Sequence, residues 1–110
     1  MRLTITDRVM RSAYTRHTAT AWPVPSEPTL WTVTWLPGRN LTRDQAEAAM
    51  SIAEAVGRIP ADAGPEAWTA RLWEHLDSWA AVLGLSGPNA VVQVTDSESP
   101  RRHDRLHPGR

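Results

Sequence analysis

The chain has no cysteine, no phenylalanine, a single tyrosine and no net charge. Each lack excludes something. Without cysteine there is neither a disulfide framework nor a thiolate zinc site. No apolar run approaches the ~18–20 residues of a bilayer span, so no membrane association is expected. The opening residues, MRLTITDRVMRSAYTRH, carry arginines but no continuous apolar stretch, so they do not read as a secretory signal. The expected location is the cytoplasm, and in that setting the glycosylation sequon Asn40-Leu41-Thr42 is coincidental. Balanced acids and bases give no overall pull toward nucleic acid.

What is present is tryptophan, at positions 22, 31, 35, 68, 73 and 79 of 110 residues. The length fits one domain. With both ends outside the packed part, about 65–70 residues remain, and a domain of that size buries only about 60% of its unfolded surface. A few tryptophans at roughly 150–250 Å² each can still build a small core.

Along the chain, Leu3 and Ile5 alternate with Thr4 and Thr6, a weak strand signal. Pro23, Pro25 and Pro28 mark an extended linker, and Met10 is an alternative start. Thr29 to Leu36 is the clearest strand: Trp31, Val33 and Trp35 share one face, Thr32 and Thr34 the other, and Pro37-Gly38 ends it. Thr42-Arg43-Asp44-Gln45 is a capping box opening a helix to about Val56, with Ala46, Ala49, Met50 and Ala53 inward, Glu54 on the solvent side and Gly57 at its C-terminal stop. A second helix follows Pro65, with Trp68, Leu72, Leu76, Trp79 and Leu83 in one stripe and Gly84 at its end. Residues 85–95 have two readings. Ser86-Gly87-Pro88 suits a short helix; Val91, Val92 and Val94 favour a strand, which would pair with the first.

The expectation is therefore a small single α+β domain of residues 29–96. Its order is β-α-α followed by a short strand or short helix, the helices antiparallel and packed on one strand face. Residues 1–28 form a flexible N-terminal extension and residues 97–110 a disordered polar tail.

Chemistry is sparse. Glu74, His75 and Asp77 crowd one turn, but His75 points about 100° away from Glu74, and the second histidine of a zinc helix is missing. His103 and His107 have metal-binding spacing on a helix, yet Pro100 and Pro108 bracket them. Pro37-Gly38-Arg39-Asn40 precedes a helix start but lacks the features of a phosphate loop. The helix pair has too long a connection for a helix-turn-helix. These patterns point to no enzyme, metal or cofactor.

Trp31-Thr-Val-Thr-Trp-Leu-Pro-Gly-Arg39, Leu41-Thr-Arg-Asp-Gln-Ala46 and Leu76-Asp-Ser-Trp-Ala-Ala-Val-Leu-Gly-Leu-Ser-Gly-Pro88 resemble short uncharacterised actinobacterial proteins associated with phage-like and integrative elements. The resemblance covers about residues 31–94 and implies an accessory protein of a mobile element, with no activity to transfer. The reading is a small non-enzymatic interaction or regulatory protein. Trp31, Val33 and Trp35 are its candidate contacts with a protein partner or with a second copy in a homodimer. The alternative is a nucleic-acid accessory protein touching phosphates through Arg101, Arg102, Arg105 and Arg110.

Overall fold

Strands occupy the first part of the chain and helices the second. The computed structural model describes residues 3–6, 8–22, 30–60 and 62–97. Five strands, β1 (Leu3–Ile5), β2 (Val9–Ser12), β3 (Thr15–Trp22), β4 (Leu30–Val33) and β5 (Leu36–Leu41), form one antiparallel sheet in sequence order. Then come α1 (Arg43–Gly57), a 3₁₀ turn at Pro65–Ala67, α2 (Ala70–Val82) and α3 (Gly87–Ser97). The α+β class is as expected, and the third helix is one of the two endings expected after β-α-α; the single opening strand is not, because the sheet has five strands.

The extension assigned to residues 1–28 is corrected first. Residues 3–5, 9–12 and 15–22 are strands of the sheet. Their inward positions line up across it: Ile5 faces Met10, Met10 faces Ala19, Ala19 faces Val33, and Val33 faces Leu36. A second inward row runs Ala21, Trp31, Leu41. The outward row Val9, Thr20, Thr32 obeys the same two-residue period. Small inward alanines leave little apolar contrast with threonine, so the alternation is faint in the sequence. The proline linker at residues 23–28 and the tail at 98–110 lie outside the described residues, and Ser97 closes α3 rather than opening a tail.

The strand read over 29–36 is also corrected. Val33 pairs with Leu36, so the chain reverses at Thr34-Trp35, before Pro37-Gly38. Leu36 and Leu41 are both buried, although five residues apart, a spacing that a regular strand would place on opposite faces. Pro37 and Gly38 (φ +82°) fall within the register shift that resolves this conflict.

The expected capping box forms: Gln45 N–H donates to Thr42 Oγ1 at 3.2 Å and Thr42 N–H to Gln45 Oε1 at 2.9 Å. α1 lies on the inner sheet face, with α2 and α3 packed against it, and is buried on most sides. Ala46, Ala49, Met50 and Ala53 are core residues as read from spacing. Glu54, assigned to the solvent side, is instead 0% exposed, because the sheet and the other helices cover both flanks; Ser12 Oγ donates to its Oε2 at 3.2 Å. Gly57 is not a left-handed stop. It lies inside the helix, where a Cβ would strike the Tyr14 carbonyl oxygen.

α1 and α2 are antiparallel, as expected. Gln45 at the start of α1 donates to the Val82 carbonyl near the end of α2 (3.4 Å), while Ala55 and Arg58 lie by Leu72 and His75. α2 ends in a Schellman motif: Leu85 N–H donates to Ala80 O (2.9 Å) and Gly84 N–H to Ala81 O (3.0 Å), with Gly84 at φ +76°. Residues 87–97 are a helix, the reading that Ser86-Gly87-Pro88 suited, and not a strand. Ser86 Oγ accepts from Asn89 N–H (3.2 Å), and Gly87, Ala90 and Val94 are buried at helical spacing while Val92 is 56% exposed. Capping and packing outweigh the valine preference for strands. The pairing expected between the strand of residues 29–36 and the end of the chain is unnecessary, since β4 already has neighbours on both sides.

Candidate functional site

The tip of the β2–β3 hairpin rests on the end of α1. Ser12 Oγ accepts from Tyr14 N–H at 3.0 Å and shapes the turn. Gly57, lacking a side chain, lets the Tyr14 carbonyl approach the helix. The Tyr14 side chain stays 44% exposed, and the Arg58 guanidinium lies 5.0 Å from its ring centroid. From this tip a groove of about 620 Å³ runs past Arg16, Val56, Ile59, Pro60 and Ala63 to Trp68, with Thr95 of α3 on its wall. Trp68 is held by stacking on Trp73, centroids 5.4 Å apart and planes inclined at 29°. Among the described residues no carboxylate lines the groove. Its chemistry suits an apolar or aromatic side chain with an acidic neighbour that could meet Arg16.

Across the Arg58-Ile59 ridge is a smaller cleft of about 300 Å³, formed by Ala55, Leu72, His75 and Trp79. His75 stacks on Trp79 at 5.6 Å and 22°. Neighbouring Asp77 faces away and accepts from Gly87 N–H at 3.1 Å, fixing the start of α3. The crowded turn around residues 74–77 therefore serves helix packing. Among the described residues no group of three His, Asp or Glu side chains could hold a metal.

Trp31, Val33 and Trp35, read as contacts for a partner or dimer, are buried inside the chain. β3 and β5 pair with both edges of β4, and α1 covers its inner face. They hold the layers together and present no surface. Arg39, read as part of a pre-helical turn, donates to the Leu83 carbonyl at 3.2 Å and satisfies the end of α2. His103, His107, Arg101, Arg102, Arg105 and Arg110 lie outside the described residues.

Two internal polar groups escaped the sequence reading. One is Glu54; the other is His17, whose Nδ1 lies 2.7 Å from Thr34 Oγ1 and Nε2 3.4 Å from Val94 O. One tautomer satisfies the whole arrangement. Nε2–H donates to Val94, Thr34 O–H donates to Nδ1, and Thr34 Oγ1 accepts from Thr18 N–H at 3.2 Å. The signal was available: His17, Ala19 and Ala21 alternate with Arg16, Thr18 and Thr20. Tyr14 could have been singled out as the lone tyrosine between two short alternating segments.

Charge divides by layer. Among the described residues, the strand half carries Arg8, Arg11, Arg16 and Arg39 and no carboxylate. The helical half carries Asp44, Glu47, Glu66, Glu74 and Asp77 among its acids, against Arg43, Arg58 and Arg71. No helix of the described residues is long and apolar enough to cross a membrane. Compared with family models, curated proteins and solved structures, the chain matches none.

Proposed function

We propose that the protein is a small non-enzymatic interaction module that engages a protein partner through the groove between Tyr14 and Trp68. The observation that carries this reading is an exposed tyrosine and a stacked tryptophan flanking an open groove that no carboxylate of the described residues lines. Aromatic side chains in such positions supply contact area at low entropic cost and are enriched where interfaces draw their energy. The resemblance around residues 31–94 supports a role as an accessory protein of a mobile element.

The test pairs Tyr14→Ser and Trp68→Ser with the exposed control Val92→Ser, each first shown to be folded. A partner captured by the wild type and by Val92→Ser, but lost from both groove variants, supports the reading. A purified partner should then perturb the amide signals of residues 13–16 and 56–59. A partner retained equally by all variants places recognition elsewhere.

A further inference from the structure

The two edges of the sheet are unlike. β5 carries Pro37, Gly38 and a register shift, features that blunt an edge against pairing. β1, at the other end, pairs among the described residues only with β2 and carries no proline, glycine or register shift. Beside it lies a cleft of about 320 Å³ whose apolar walls are Leu3 of β1, Ala48 of α1, and Trp79 and Val82 of α2. Val82 is 46% exposed, and Asp44 and Glu47 rim the same cleft from one face of α1. Among the described residues no hydrogen bond or ion pair engages either carboxylate, and none of the described residues that line the cleft is basic.

We propose that β1 and this cleft bind an extended segment of a partner protein as a sixth strand, with apolar and basic residues at alternate same-face positions. Backbone hydrogen bonds to β1 supply the affinity that any extended chain could gain. The cleft supplies the selection, as in other cases of strand addition. Successive same-face side chains in a strand stand roughly 6.8 Å apart. One apolar side chain can enter between Leu3, Ala48, Trp79 and Val82 while its same-face neighbour brings a lysine or arginine to Asp44 and Glu47. An acidic segment would place like charges together and is rejected. This site is separate from the Tyr14–Trp68 groove, so either can fail without the other.

The probe is a capped peptide in which the residues on one face read Arg, Val, Arg and those on the other are threonine; its counterpart has glutamate for arginine. Binding is measured by amide chemical shifts and by hydrogen exchange of Leu3–Ile5. The arginine peptide should bind the full chain and slow exchange in β1. N-methylation of its alternate amides should abolish binding, and Asp44→Asn with Glu47→Gln should weaken it about tenfold. Asp44→Lys with Glu47→Lys should transfer the preference to the glutamate peptide, which keeps the proposal testable even if the neutral pair shifts α1. Binding that leaves β1 exchange unchanged, or that survives N-methylation, overturns strand addition. So does a stable dimer that the peptide cannot dissociate, because a second copy would then own the edge.

Discussion

Trp35 joins the two layers at one point. Its side chain is 1% exposed, and its indole N–H donates to the Ala49 carbonyl in the middle of α1 at 3.1 Å. That carbonyl also has its helical partner four residues on, so the indole bond is an addition rather than a necessity. Trp35→Phe is expected to cost only about 1–2 kcal/mol, mostly for one modest hydrogen bond and some volume. Trp35→Ala should cost about 3–5 kcal/mol, much of the stability of a domain whose total lies near the low end of ~5–15 kcal/mol. Urea unfolding of the two variants gives the ordering; equal losses would mean the hydrogen bond, not the ring, dominates. Gly57 makes a sharper case. In an ordinary helix, alanine for glycine gains up to about 1 kcal/mol. Here the new methyl group would meet the Tyr14 carbonyl, so Gly57→Ala should destabilise by about 1–3 kcal/mol and shift the hairpin-tip signals. A stabilised Gly57→Ala protein would show that the hairpin tip is free to move.

Elements differ in how plainly the chain announces them. α1 and α2 were legible because their ends are chemical: Thr42 with Gln45 at one start, Gly84 at one stop. Of the first three strands only β1 left a weak alternation, at Leu3 and Ile5, since β1 has three residues, β2 has four, and β3 builds its inner row from His17, Ala19 and Ala21. A methyl side chain on one face and a threonine on the other differ too little for the alternation to stand out. β5 was hidden by Pro37-Gly38, which reads as a stop and acts within a register shift. α3 was obscured by valines whose strand preference yields to a cap and a packed face. The site suffered for the same reason: Tyr14 was visible as the lone tyrosine, but its seat on the end of α1 follows only from the paired strands. The consequence for truncation reverses the expectation of a removable N-terminus. Deleting residues 1–22 would strip β4 of its β3 partner and remove Met10, Ala19 and Ala21 from the core. The shortened chain is expected to lose cooperative thermal unfolding and to aggregate, as followed by circular dichroism and gel filtration. A monomer with native ellipticity would show that β4, β5 and the helices suffice.

At the scale of the whole molecule, the sheet is a meander in which every neighbour is the next strand along the chain. Closing it requires no crossover, and the helices then fold back over one face. The arginines of the strand half give weak, salt-sensitive attraction for phosphates at best. Retention on single-stranded DNA is therefore expected at low salt and should vanish by about 200 mM, where counterion release has removed most of the gain. Sequence-selective binding that survives that salt would favour nucleic acid over a protein partner. The layered charge has a consequence for the way copies behave together. A particle with a formal charge of zero should, if charge were uniform, ignore ion-exchange resins. Over its described residues this one is a dipole, positive toward its strands and negative toward its helices, and each resin sees the end that it prefers. The protein should be retarded on cationic and anionic columns alike near neutral pH. In dilute buffer its own copies should attract head to tail, giving a negative second virial coefficient in light scattering that rises toward zero as added salt shortens the Debye length to about 10 Å.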